Sequence, residues 1–296
     1  INLYDVNHHL LKRATEPRKC SYVEFVGTTP EDQDPEWFVS HWWGEAVAHF
    51  LLILQVFALK RGGRLVFWVC AYCNNQHSLA GEVTRNPRET SFGRAMDNTR
   101  GMLMIIDWEA TPFRRMWCAY EVSVAISSSE KTFDLATFIP QGNINSLSTT
   151  GKFNLSAVRM EQQQEEEQQR QLGDLQMVME LRREVPGRVA LIADGFLPED
   201  EELDETDVLF GRTAAKKKEL REQAFPLRIA AAGLHMAIED AEASVAADRC
   251  HILNCISGNP DLDSEPCCDH PAYDELNARF RNRFARVVLR KTIEQE

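Results

Sequence analysis

Continuous apolar runs alternate with amphipathic stretches across residues 1–140, and that alternation sets the expected architecture. Glu36-Trp37-Phe38-Val39-Ser40 reads as a short strand that breaks into His41-Trp42-Trp43-Gly44-Glu45. The apolar run Ala46 to Leu59, broken only by His49 and Gln55, reads as a buried helix, with Arg61-Gly62-Gly63 as its stop signal. Arg64 to Tyr72 is too continuously apolar to have a wet face and predicts a second strand. A polar loop from Cys73 to Glu89 leads to a short helix near Ser91 to Thr99, a buried strand from Gly101 to Asp107, a helix from Pro112 to about Ser127 and a strand from Phe133 to Ile139. Strands that alternate with helices across short connections call for a parallel sheet with right-handed crossovers. The expected fold class is α/β, a doubly wound, mostly parallel sheet of about five strands with a helical insert and C-terminal helices.

The remaining chain divides by composition. Residues 1–35 form an N-terminal extension, 36–140 the α/β core, 141–225 an acidic, Gln/Glu-rich insert, and 226–296 a last strand and C-terminal helices that complete the domain. Glu161 to Gln171 reads as a solvated helix and Pro198 to Asp207, with seven acids in ten residues, as an exposed loop. The last strand and a helix are expected within Phe225 to Ile238, and a further helix over Val245 to Ile256. From about Pro271 to Thr292 an amphipathic helix carries Tyr273, Leu276, Phe280, Phe284, Val287 and Val288 on one stripe. Its other faces hold Arg279, Arg281, Arg283, Arg286, Arg290 and Lys291, read as a solvated face.

Charge and cysteine usage narrow the functional classes. With 296 residues, 44% of them hydrophobic, the chain can bury a sizeable core. A net charge of −12 argues against a general affinity for nucleic acid or an anionic membrane. The longest apolar run spans 14 residues, short of the roughly 20 a bilayer helix needs, so no membrane span is expected. Eight cysteines scattered through apolar runs suit reduced thiols and a cytoplasmic location, and no signal-peptide pattern is visible from Ile1 onward. No Gly-x-Gly-x-x-Gly or Walker-type loop is present, which argues against dehydrogenase and P-loop chemistry.

The chemistry-bearing residues gather at predicted strand ends. Thr111 can cap a helix that starts at Pro112, and Trp117 and Glu121, four apart, then share a face just beyond an apolar strand, where α/β proteins keep their ligands. Cys70, Cys73 and His77 have the residue types of zinc ligands, with His41 or Cys118 as a fourth, but lack a second pair at matching distance, so no metal is the preferred reading. Cys118 is a nucleophile candidate with His41 or His77 as base, against the simpler reading of a core-packed cysteine.

At Phe38 to Glu45 and at Trp117-Cys118-Ala119-Tyr120-Glu121-Val122 the chain resembles plant-type TIR domains. Those domains open with an apolar strand ending in Ser and a Gly-acid turn, and carry a Trp-Cys-x-x-Glu helix. The likeness covers about residues 36–140, and Ser91 to Met102 resembles the helix that leads into the third strand. The blocks His-Trp-Trp-Gly-Glu, Asn-Asn-Gln-His and Trp-Cys-x-x-Glu are also similar to those of multi-copy proteins of unicellular algae. Two departures stand out: His41-Trp42-Trp43 replaces an aromatic-Arg pair before the Gly, and the loop from Cys73 to Glu89 is longer than usual.

The resemblance implies a flavodoxin-like, TIR-like sheet and cleavage of NAD at the nicotinamide-ribose bond, with Glu121 as the essential carboxylate and NAD as substrate rather than cofactor. It further implies that Ser40, His41, Trp42, Trp43, Gly44, Trp117 and Cys118 line the substrate site. For that chemistry Glu121 has to be ionised and to face an open crevice beside Ser40 and His41. The alternative expectation is a non-catalytic TIR-like interaction module or accessory subunit, with self-association or other protein subunits as partners.

Overall fold

The computed structural model describes residues 1–27, 29, 33–79, 84–141, 185–193, 218 and 221–293. The Gln/Glu-rich run of residues 161–171 and the acidic run of 198–207 lie outside them. The chain begins with α1 (Leu3–Val6), a π-helical stretch (Asn7–Leu11), α2 (Lys12–Thr15) and α3 (Tyr22–Val26). The core follows as β1 (Trp37–Ser40), α4 (Val47–Lys60), β2 (Phe67–Trp68), α5 (Cys70–Cys73), α6 (Ser91–Asn98), β3 (Gly101–Ile106), α7 (Met116–Ser127), β4 (Thr132–Pro140) and β5 (Gly187–Ile192). The C-terminal part supplies α8 (Leu227–Leu234), α9 (Ala246–Ser257) and α10 (Pro271–Ile293).

The strands form one five-stranded sheet in the order β2-β1-β3-β4-β5. The pairs β1–β2, β1–β3 and β3–β4 are parallel, and β5 runs antiparallel to β4. Because side chains alternate across a strand, two faces are filled from one apolar run. Met102, Met104 and Ile106 of β3 point into a core with Phe38, Phe133, Leu135 and the helices α6, α7, α8, α9 and α10. Leu103 and Ile105 point the other way, with Trp37, Val39, Phe138 and the residues of α4. The fold is α/β and doubly wound, as the apolar runs predict. Among the described residues no helix is long and apolar enough to cross a membrane.

Three local expectations are corrected. Arg64 to Tyr72 does not form one strand: only Phe67 and Trp68 pair, on a sheet edge, and the chain turns into helix at Cys70. The fifth strand is Gly187–Ile192, from the stretch read as insert, whereas Phe225 to Ile238 contains no strand. Leu227-Arg228-Ile229-Ala230-Ala231-Ala232-Gly233-Leu234 is helical, in keeping with three alanines and a preceding Pro226. Finally, α7 begins at Met116, because Thr111–Arg114 forms a separate 3-10 turn. The Thr111 hydroxyl donates to Asp107 at 2.6 Å and so does not cap the helix.

The ends of the chain are integral to the domain. Leu3 and Leu11 are buried in the α4-side core, and the Leu3 amide donates to the Trp43 carbonyl at 2.9 Å. The predicted stripe of α10 is buried at Tyr273, Leu276, Phe280, Phe284 and Val287, with Val288 partly so. The Tyr273 hydroxyl completes the contact by donating to the Leu253 carbonyl at 2.8 Å. Gly62 and Gly63, at φ of 96° and 105°, end α4 in the left-handed region that only glycine enters without cost.

Candidate functional site

In the order β2-β1-β3-β4 the chain leaves β1 toward one neighbour and later returns on its other side, so the carboxyl ends of β1 and β3 flank a topological switch point. The residues that follow those two strands, His41 to Glu45 and Asp107 to Thr111, converge there with the first turns of α7. The convergence collects polar groups in a dry place. Ser40, His41, Glu45 and Glu121 are 1%, 7%, 8% and 5% exposed, respectively.

Each of those groups keeps an atom without a hydrogen-bond partner among the described residues: Ser40 Oγ, His41 Nε2, Glu45 Oε2 and Glu121 Oε2. Burial pushes the Glu121 carboxyl up to about 8, against the opposing influence of the nearby Ser40 hydroxyl and the Arg115 charge. Glu45 is pushed up to about 8 as well, by burial and by Asp107. His41 goes the other way, to about 4, because burial disfavours its cation and Arg115 adds repulsion. Its Nδ1 lies 3.2 Å from the Val39 carbonyl, an atom that can only accept, so Nδ1 carries the proton and Nε2 is a free acceptor. At neutral pH the cluster therefore holds two protonated carboxyls, one neutral imidazole and one hydroxyl, beside the half-buried Arg115 guanidinium.

The expected site residues divide in two. Ser40, His41, Cys118 and Glu121 come together: the Cys118 thiol lies 4.0 Å from the His41 carbonyl, and Ser40 acts on both Cys118 and Glu121. The three aromatic candidates are engaged with other partners, Trp43 still beside the cluster because Glu121 acts on its partner Cys70. Trp43 donates its indole N–H to Cys70 Sγ at 3.1 Å and packs on Tyr4. Trp117 donates to Asp248 at 3.0 Å and stacks on Phe92 at 5.2 Å. The Trp42 ring folds over Gly44, where an added Cβ would meet it at 2.2 Å, so Gly44 serves the close approach of that indole.

The thiols do not suit nucleophilic chemistry. Burial pushes Cys118 far above its ordinary range, Cys70 up to about 12 and Cys73 up to about 11, while nucleophiles act as thiolates. The His77 ring turns away to Thr15 at 2.9 Å and Glu16 at 3.4 Å. No group of three His, Cys, Asp or Glu side chains among the described residues could hold a metal ion.

Arg115, Glu45 and Asp107 belong to the cluster without having been singled out from sequence. Arg115 stands directly before the Trp-Cys-x-x-Glu helix, and the residue that opens a helix at a strand end was the signal for it. The Asp107 carboxylate accepts from the Thr111 amide and hydroxyl, both at 2.6 Å, and fixes the loop that delivers Arg115.

Compared with known proteins, the chain matches no family model, no curated protein and no solved structure.

Proposed function

We propose that the protein is a TIR-like nucleotide-binding protein that cleaves NAD at the nicotinamide-ribose bond, with Glu121 as the essential carboxylate. One observation carries the reading: Ser40, His41, Cys118 and Glu121, drawn from two motifs 70 residues or more apart, meet at the β1/β3 switch point beside Arg115. In this reading Arg115 meets the anionic part of the nucleotide and Glu121 faces the ribose. Nicotinamide leaves with the electron pair of its bond to the sugar, and water then adds to the ribose carbon and releases a proton. An ionised Glu121 opposes the positive charge that develops on the ribose.

The raised pKa gives this chemistry a signature. Glu121 holds its proton until about pH 8, so turnover rises with pH through that value. Nicotinamide release from NAD, followed at pH 6.5 and at pH 9, tests this: the reading expects faster release at the higher pH and its loss in Glu121→Gln. Release that is absent at both pH values, or unaltered in Glu121→Gln, rejects the catalytic assignment.

A second reading, a non-catalytic TIR-like interaction module, is favoured by the 5% exposure of Glu121, which leaves the acid closed in rather than facing an open crevice. In that case the unpartnered polar atoms serve a packed core, and Tyr4 and Leu10, both exposed on the N-terminal helical segment, offer apolar groups for a partner. Light scattering distinguishes the two: an interaction module shows association that Tyr4 and Leu10 variants abolish and NAD does not alter.

A further inference from the structure

At the amino-terminal end of β4, away from the strand ends beside Glu121, a hollow of about 460 Å³ opens where the end of α7, the start of β4 and the outer side of α10 meet. Ser128, Lys131, Thr132, Arg279, Asn282 and Arg283 line it, and none of its described lining residues is acidic. In a chain of net charge −12, three cations in one hollow with no acid among its described lining residues are a local reversal of sign.

Two of the three cations are held in place by the fold. Arg279 and Arg283 stand four apart on α10, with Asn282 between them, so all three project from one side of the helix. Arg283 donates to the Phe133 carbonyl and lies over the Phe133 ring at 5.5 Å, which fixes its guanidinium at the rim. Lys131 donates to the Thr99 carbonyl at 2.6 Å, a bond that uses one of its three N–H groups. Asp97, from the adjoining hollow, and Glu130 act on Lys131, and Arg279 meets the exposed Glu275 at 3.8 Å, a surface pair of little strength. Next to it a second hollow, of about 490 Å³, shares Ser128 and Lys131 and continues over Tyr120, Val124 and Leu276, with Arg88 and Asp97 also in its lining. A cationic end thus leads into a mixed one, where apolar and hydroxyl groups stand with a further cation, Arg88, and one acid, Asp97.

We propose that these joined hollows bind a small organic phosphate, its phosphate held by Lys131, Arg279 and Arg283 and its organic part against Tyr120, Val124 and Leu276. Ser128, Thr132 and Asn282 supply neutral hydrogen bonds to the phosphate oxygens. The site stands apart from Glu121 and does not depend on the NAD reading.

Calorimetric titration of the full chain with phenyl phosphate and with inorganic phosphate tests the proposal. Phenyl phosphate is expected to bind saturably to one site, about tenfold more tightly than inorganic phosphate, a difference near 1.4 kcal/mol. Arg279→Glu, a change at an exposed position, is expected to weaken binding at least about tenfold with an unchanged melting temperature, and Arg283→Gln likewise if it folds. Glu121→Gln is expected to bind phenyl phosphate as the parent does. Absence of saturable binding in the millimolar range, equal affinity for the two phosphates, or full binding by Arg279→Glu would each overturn it.

Discussion

Arg115 and Glu242 form a parallel backbone bridge at the start of α7, in which the Met116 amide donates to the Glu242 carbonyl at 2.7 Å and the Glu242 amide to the Arg114 carbonyl at 2.8 Å. The helix that carries Cys118 and Glu121 is thereby anchored by a residue more than 100 positions downstream. The C-terminal part of the chain is a component of the candidate site's framework, and residues 36–140 do not build it alone.

Proline at position 242 removes the donor and leaves the Arg114 carbonyl unpaired. Glu242→Pro is expected to cost about 1–3 kcal/mol in urea unfolding. Glu242→Ala, which keeps the amide and loses only an exposed side chain, is expected to stay within about 0.5 kcal/mol of the parent.

A buried ion pair crosses the other face of the sheet. Arg61, at the end of α4, pairs with the fully buried Asp134 of β4 and lies over the Trp37 ring at 4.4 Å. Removing one partner strands a charge, so Asp134→Ala is expected to cost about 3–5 kcal/mol. The double variant Arg61→Met with Asp134→Leu is expected to recover most of that loss, and chemical denaturation of the single and double variants checks it.

Stability should depend on pH through the site cluster, with signs that differ by residue. Glu45 and Glu121 are pushed up to about 8 from an ordinary 4.5, so the folded chain binds more protons than the unfolded chain between those values. Their contribution is full below pH 4.5 and is lost as pH rises through 8. His41 is lowered from 6.5 to about 4, so its contribution is present above 6.5 and is lost as pH falls through 4. Replacing Glu121 by Gln is expected to flatten the alkaline decline, gaining about 4 kcal/mol relative to the parent between pH 5 and pH 9. A thermal unfolding series across that range measures it.

The close approach of α8 and α10 depends on Gly233. A Cβ there would meet the Phe284 ring at 2.4 Å, and that ring is fully buried. Gly233→Ala is expected to destabilise by about 1–3 kcal/mol, read as a lower melting temperature.

The parts legible in the sequence were those governed by periodicity. The all-apolar β3 run, the α10 stripe and the α4 stop at Gly62-Gly63 each have a local signal, and each stands where the pattern places it. The parts that were not legible depend on distant partners. Val189-Ala190-Leu191-Ile192 is a short run inside a polar stretch, and it becomes a strand because β4 offers a free edge. Thr111 looks like a helix cap until Asp107 takes its hydroxyl. The convergence of Ser40, Cys118 and Glu121 followed from strand ends and motif spacing, whereas the diversion of Trp43 to Cys70 and of Trp117 to Asp248 required knowing which helices pack beside them.

Binding of NAD at the β1/β3 switch point is the premise on which the proposed chemistry stands, and calorimetric titration of NAD at neutral pH into the parent chain and into Arg115→Glu tests it most directly. Saturable binding to one site is expected in the parent, weakened at least about tenfold by the charge reversal. Absence of saturable binding in the parent, or equal binding by the variant, would contradict it.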